Sequence, residues 1–451
     1  MRPLLALLAF TTILTAQSLV GDGQADDTAA LQKLVDTQGS VRLPKGRYRL
    51  MRTVTVDLAK TGYAAIVGDG TAQIIMAGSG PALRFVGTHG KSADPWNFKP
   101  QVWQDERAPA VTGIEIVGAH PEADGIEATG TMQLTVHQVL IRECRHAIRL
   151  TKSNRNVIVS ACNLYHNSGI GVFYDDVNLH QSNIVGSHIS YNGGGGIVSR
   201  GGNVRNLQIG TCDIEYNQAP KGKPAANVEL DSTGGSIGEV TITGCTIQHT
   251  NKAPDSANIR ILGAGKDESL IRRGGRPTTR EGNVTITGNV FSDVQVNVEI
   301  RNARGVTVSA NTFWEGFTHD ILVEDSSNVA ISGNNFDRNP RYLVNGNDLA
   351  EKNGVVLRRM ADSSFSDNLV CGVRGHEAAV DVTDCSRLRI TNNSILDSDG
   401  SALRLTRVNR SIVTGNLLRD DRPADQRSKA PLIVVTEGDE NRIEPAPAAA
   451  R

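Results

Sequence analysis

One phrase returns through the second half of the chain: VTITGNVF (residues 284–291), VTVSANTF (306–313), VAISGNNF (329–336), LRITNNSI (388–395) and IVTGNLL (412–418). Each copy sets apolar or β-branched residues around a polar one, then adds a small residue, an Asn and another apolar residue. That order describes a strand running into a tight turn. The Asn column, Asn289, Asn311, Asn334, Asn368, Asn393 and Asn416, advances in steps of 22, 23, 34, 25 and 23 residues. Such spacing marks a coil repeat with loop insertions.

The register extends backwards. VIVSACNL (157–164), NIVGSHIS (183–190), LQIGTCDI (207–214) and VTITGCTI (240–247) put Cys162, Ser187, Cys212 and Cys245 in the same column. A second strand belongs to each coil, as in AIRLT (147–151), NVELD (227–231) and NVEIR (297–301). Apolar helical periodicity is missing, and so is the LxxLxLxxN pattern of leucine-rich repeats. The expected fold is all-β: one single-stranded right-handed parallel β-helix, a solenoid. Its coils rise ~4.8 Å each, so the Asn side chains of one column are expected to bond to turn backbone and to one another inside the solenoid.

The repeat runs unbroken, so 451 residues read as one elongated domain. The expected division is a signal peptide over 1–16, the β-helix domain over 17–437 with an N-terminal capping segment over 17–50, and a tail over 438–451. Arg2, the apolar run from Leu4 to Leu14 and the small residues around Ala16 make the secretory signal. That run is too short for a membrane anchor. The expected location is secreted or periplasmic. Lys plus Arg number 47 against 48 Asp plus Glu, a balance that calls for neither nucleic acid nor a membrane surface. Cys162 and Cys212 lie two coils apart, about 9.6 Å, beyond disulfide reach; these and Cys245 read as buried stack-fillers. Cys144, Cys371 and Cys385 show no CxxC spacing, so no zinc site is expected.

Near the N-terminus, GDGQADDTAALQ (21–32) is followed by VRLPKGRY (41–48). Asp27 or Thr28 can cap a short helix with Ala30, Leu31, Leu34 and Val35 on one face, ended by Gly39. These two stretches resemble the N-terminal segment of the pectate-lyase superfamily, shared by polygalacturonase-like glycosidases and phage tailspikes, which reads GDGxxDDTxAIQ and then VxLPxGxY. The resemblance implies the β-helix fold, with the helix plugging its N-terminal end and the carboxylates structural.

Strand alternation assigns the outward face of the sheet that precedes the Asn-column strand. Arg149, Phe173, Val198, Glu229, Arg260 and Glu299 form one outward row; Thr151, Asp175, Arg200, Asp231, Leu262 and Arg301 form the next, with Asp176 where the strand turns. Asp175 and Asp231 are about 9.6 Å apart and Glu229 and Asp231 about 6.6 Å at the backbone, and inverting glycosidases hold their carboxyl pair ~6.5 to 9.5 Å apart. Asp175, Asp176, Glu229 and Asp231 are therefore the candidate catalytic carboxylates, and Arg200, Arg260, Glu299 and Arg301 the candidate substrate contacts. The arginines between them favour ionised carboxylates, whereas a general acid must hold its proton. A lateral ion-pair lattice on a solvated sheet is the competing reading.

The motifs that polygalacturonase-like glycosidases carry on this sheet are only partly matched. YDDV supplies Asp175 and Asp176 where DD belongs, but GGGGIVSRGG has Gly where GHG needs His, NVELD replaces RIK, and no NTD precedes. The family mechanism is therefore not carried over. Two further groups could contact sugar. Trp96 and Trp103 stand in an aromatic loop suited to stacking on pyranose rings. His166, Tyr191, Tyr216 and His249 recur in YHNSG, SYNGG, EYNQA and IQHTN; such residues suit proton abstraction at a uronate C5, while alternation could instead turn them inward as a core stack.

The expected function is an exported carbohydrate-active protein, a glycoside hydrolase or polysaccharide lyase acting on an acidic polysaccharide. The alternatives are a non-catalytic glycan-binding or envelope scaffold and a uronate epimerase. No cofactor is expected; calcium could use Asp175, Asp176 and Asp231, but Arg200 between them disfavours it.

Overall fold

The computed structural model describes residues 18–90, 99–218, 223–250, 253–263, 266–272, 276–279, 281–338 and 350–444. The expected signal peptide over 1–16 and Trp96 lie outside them. The coils repeat one path. In a central coil the chain runs extended from Ile170 to Asp175, bends at Asp176 (φ 44°), and continues to Val185. It then turns through Gly186 and Ser187 and ends in the short strand His188–Ser190. Stacked on their neighbours, the three segments make a first, second and third sheet. The pairing is parallel throughout; the antiparallel exception among the described residues joins Lys266–Arg272 to Arg276–Thr279, within an insertion.

Alternation decides what the solenoid encloses. Val172 and Tyr174 point inward and are fully buried, as are their counterparts Ile197, Val228, Ile259 and Val298. One apolar core runs from Leu31 to Leu418, narrow enough that Phe291, Phe313 and Phe336 stack down it at 5.0 and 4.6 Å. The helix Thr28–Gln38 adds Leu31 and Val35 to this core, and Gly39 (φ 68°) ends it. Asp27 is at its N-cap, but its carboxylate accepts Val20 N (2.6 Å) and Gly21 N (3.1 Å). It secures the incoming chain instead of the helix end. The last pairings, Ile412 with Arg442 and Val413 with Ile443, fall in the stretch read as tail, so the coils run beyond residue 437.

The Asn column is present as the repeat requires. Asn289 Nδ2 donates to Asn311 Oδ1, Asn311 to Asn334, Asn334 to Asn368, each at 3.0 Å, and onward to Asn393 and Asn416. Every Nδ2 also donates to a strand carbonyl one coil back, as Asn311 does to Ile286 O at 3.1 Å. Cys162, Cys212 and Cys245 continue the column as free, buried thiols, and Cys245 N donates to Asn289 Oδ1 at 3.0 Å.

A second amide column, which the sequence reading missed, lines the turn between the third and first sheets. Asn167 donates to Asn192, Asn192 to Asn217, Asn217 to Asn227, and so through Asn258 and Asn297 to Asp320, with spacings of 2.7 to 2.8 Å. Each member from Asn167 to Asp320 is 2% exposed or less. The column ends in an acid. Asp320 accepts from Asn297 through Oδ1, while its buried Oδ2 has no hydrogen-bond partner.

Burial, reinforced by the charge of Glu351, pushes the Asp320 carboxyl up from 3.8 to about 7. A carboxyl whose folded value exceeds its unfolded one binds its proton more tightly in the folded chain. Its stabilisation is full below 3.8 and is gone once pH has risen through about 7. Asp320→Asn continues the amide column without a titrating group. Relative to that variant, the parent loses stability between about pH 4 and about pH 7 and is level above. Urea midpoints of both proteins at about pH 5 and about pH 8 check this; parallel midpoints would refute it.

Candidate functional site

The outward rows pair as alternation demands. Phe173 faces Val198, then Glu229, Arg260 and Glu299; Asp175 faces Arg200, then Asp231, Leu262 and Arg301. Their exposure is not that of a solvated sheet. Val198 is 1% exposed, Glu229 8%, Arg260 7% and Glu299 5%. Pro224 and Asp255, from the segments that lead into the first sheet, stand beside it; along the same row Leu322 and Val356 follow Glu299 and form with Val296 an apolar patch outside the main core.

A cleft of ≈ 610 Å³ opens on this face. Glu229, Arg260, Leu262, Glu299, Arg301 and His319 line it, and Val296 and Leu322 give it an apolar side. Four of the candidate residues are thus brought together. Asp175, Asp176, Arg200 and Asp231 stand outside the lining. Asp175 accepts from Arg149 Nε at 2.9 Å, Asp176 is exposed at the bend, and Asp231 folds back on Thr233, accepting from its N at 2.9 Å and its Oγ1 at 2.6 Å. The pair Asp175 and Asp231 and the pair Glu229 and Asp231 therefore do not face one cleft. The oxygens weighed for calcium lie on two strands that are not neighbours, with Arg200 in register between Asp175 and Asp231.

Inside the cleft the carboxylates hold arginines. Arg200 Nε donates to Glu229 at 2.6 Å, Arg260 Nε to Glu299 at 2.6 Å, and Arg301 joins Glu299 to Glu324. Burial would raise the Glu299 carboxyl, but Arg260 and Arg301 outweigh it and hold it below the usual range. Such a group is an ionised anchor, not a proton donor. His319 was missed by the sequence reading because it lies within the strand Gly316–Glu324, whose later residues repeat the core pattern. Burial, then the His376 imidazole 5.2 Å away, then Arg358 and Lys352, push it down to about 4. It is a neutral imidazole at neutral pH.

His166, Tyr191, Tyr216 and His249 do not turn inward. All four occupy left-handed turn positions (φ 54° to 63°) and project outward, and the buried side chain in the first three turns is the Asn that follows. The rings stack along the axis at 4.9, 5.3 and 5.1 Å. Tyr191 is 44% exposed, yet the stack presents ring edges because the faces cover one another. Glu215 holds the Tyr191 phenol above its usual range, which opposes a role as base. None of the four lines the cleft. Trp103 is exposed on the short helix Pro100–Gln104. Its loop enters at the bend between the first and second sheets, where Arg107 bridges Met132, and so does not overhang the cleft.

The sequence matches the family described as "Right handed beta helix region" over residues 104–247 and 226–370. No curated protein matches it. Among solved structures, a tailspike protein mutant of E. coli bacteriophage HK620, in complex with pentasaccharide, aligns with a TM-score of 0.60 at 12% identity, covering 93% of this chain and 77% of that one. Tailspike protein 2 of the Escherichia coli O157:H7 bacteriophage CAB120 aligns at 0.44 and 12% identity, covering 83% of this chain, which spans 41% of that one. The A-module of a mannuronan C-5 epimerase from Azotobacter vinelandii aligns at 0.42 and 14% identity, covering 93% and 97%. At these identities the likeness concerns the fold. With its coils paired in parallel and the family match extending over more than half its length, the chain belongs to the right-handed parallel β-helix proteins.

Proposed function

We propose that the protein is carbohydrate-active and that the cleft on the first sheet receives an acidic polysaccharide. The observation that carries this reading is the composition of the cleft: guanidiniums of Arg260 and Arg301, the apolar Leu262, Val296 and Leu322, and a neutral His319, in one ≈ 610 Å³ space. Guanidinium pairs with carboxylate through parallel hydrogen bonds, and aliphatic side chains suit the C–H face of a pyranose. The half-exposed Arg301 is the receptor for the uronate, since Arg260 is buried and committed to Glu299 and to the Asp255 carbonyl. Hydrolysis requires a protonated carboxyl facing the cleft, whereas Glu229 and Glu299 are held by arginines. Proton removal beside an arginine-bound uronate, leading to elimination or epimerisation, fits better. Binding without chemistry is the second reading, favoured by the closed ion pairs and by the weak basicity of His319.

Incubation with a panel of acidic and neutral polysaccharides separates these readings. New reducing ends alone mean hydrolysis. Reducing ends with ultraviolet absorbance of an unsaturated uronate mean elimination, and altered uronate stereochemistry by NMR means epimerisation. Bound glycan without product leaves the binding reading. Arg301→Gln is expected to weaken polyuronate binding roughly tenfold, about 1.4 kcal/mol. Equal affinity for neutral and acidic glycans would sink the proposal.

A further inference from the structure

The bend between the first and second sheets carries a row that the cleft does not use. Arg107, Met132, Arg155, His180 and Arg205 follow one another in register down it. From first to last the row spans four coil steps, ~19 Å. An amide follows each of the last three basic residues: Asn156, Gln181 and Asn206, all in the left-handed region (φ 54°, 68° and 56°). These amides, with Ile158, Asn183 and Gln208 two residues further on, line a shallow pocket of ≈ 280 Å³. Asn156 donates to Gln181 at 2.7 Å and Asn206 to Glu239 at 2.7 Å, so the row of amides is already oriented.

Basic side chains bear on His180 at the centre of the row. Burial, then Arg155, with Arg205 behind, hold His180 below its usual range against the pull of Glu239. Burial likewise lowers Arg155, and burial and Arg155 lower His89 against Glu106. An anion beside His180 would oppose the push of Arg155 and Arg205 on its imidazole. Aromatic surface stands at the N-terminal end of the row: the Arg107 guanidinium lies 5.7 Å above the Tyr63 ring, and Tyr63 and Trp103 are 59% and 51% exposed.

We propose that this bend is a second glycan-binding strip, separate from the cleft, whose ligand is an acidic polysaccharide running along the solenoid axis. Arg155, His180 and Arg205 receive its carboxylate or sulfate groups, the amides bond to its hydroxyls, and Tyr63 and Trp103 meet sugar rings at one end. The strip stands independently of the cleft reading. Because anion binding and protonation of His180 favour each other, affinity rises as pH falls below neutrality.

Calorimetry on the full chain, with polygalacturonate oligomers, dextran sulfate and neutral dextran as probes, tests the strip. The double variant Arg155→Gln/Arg205→Gln is expected to keep the parent's circular dichroism and melting temperature and to lose at least tenfold in affinity for one class of anionic sites. Arg301→Gln should leave that class untouched. Preference for polygalacturonate or for dextran sulfate identifies the anion as carboxylate or sulfate. The strip is refuted if the double variant binds both anionic probes as the parent does, if neutral dextran binds equally well, or if the parent binds neither anionic probe. A result in which only Arg301→Gln weakens binding removes the strip and leaves the cleft standing.

Discussion

Asn311→Leu is expected to unfold at a distinctly lower urea concentration than the parent, with a loss of about 3 to 5 kcal/mol. Asn311 sits in the middle of the column between the second and third sheets and makes four hydrogen bonds. Its Oδ1 accepts from Asn289 N and Nδ2, both at 3.0 Å, and its Nδ2 donates to Ile286 O at 3.1 Å and Asn334 Oδ1 at 3.0 Å. Leucine has a similar volume and adds apolar contact, but it leaves the Asn289 N and Nδ2 donors and Ile286 O without their Asn311 partner, while Asn334 Oδ1 keeps the Asn311 main-chain N–H. Each stranded group costs roughly 1 to 3 kcal/mol, and burial of the leucine side chain returns about 1.5 to 3 kcal/mol at most. Thr307, one strand earlier on the outer face, supplies the control: Thr307→Val should stay within about 0.5 kcal/mol. Equal midpoints for the parent and Asn311→Leu would show that the column is not what holds the coils in register.

Arg260→Met is the second large effect, and it acts on stability and binding together. Arg260 and Glu299 are both buried and paired at 2.6 Å, and Arg260 also donates to the Asp255 carbonyl, which pins the turn above the cleft. Removing one partner of a buried pair costs about 3 to 5 kcal/mol, because the remaining charge stays desolvated. Arg301 still reaches Glu299, which places the expectation at the lower end. Adding Glu299→Gln should recover part of the loss, and the double-mutant cycle gives the coupling directly. Polyuronate binding should fall in the single variant and not return in the double, since the cleft has then lost a cation. Full stability in Arg260→Met would mean that the ion pair is solvated in the working protein.

How far the sequence could be read follows from the same residues. Strand alternation anchored by the Asn column was enough to place Glu229, Arg260 and Glu299 in one outward row, because a one-residue slip would have put charges in the core. Burial of that row was not legible. Val296 and His319, which pack beside it, lie where the strand pairing slips in register, and no local pattern records that. The Asn of YHN, SYN and EYN was in plain view, but the ring beside it is the more conspicuous residue, and only the φ of each turn decides which of the two goes inside. The aromatic loop carrying Trp103 was recognised as an insertion. Its side of the solenoid depended on which of three turns it interrupts, and the coils are least regular there.

The two amide columns also set how the molecule bears load. Its hydrogen bonds point along the solenoid axis, so traction on one end opens them a coil at a time, as a zipper, and does not shear a whole sheet at once. Each coil released from the Asn289 to Asn416 stretch frees 22 to 34 residues of chain, roughly 75 to 120 Å of contour at full extension. Because every rung is closed by the same pair of amide bonds, successive rungs yield at similar force. The fold is in this sense a ratcheted tether, stiff across its width and extensible one coil at a time along its length.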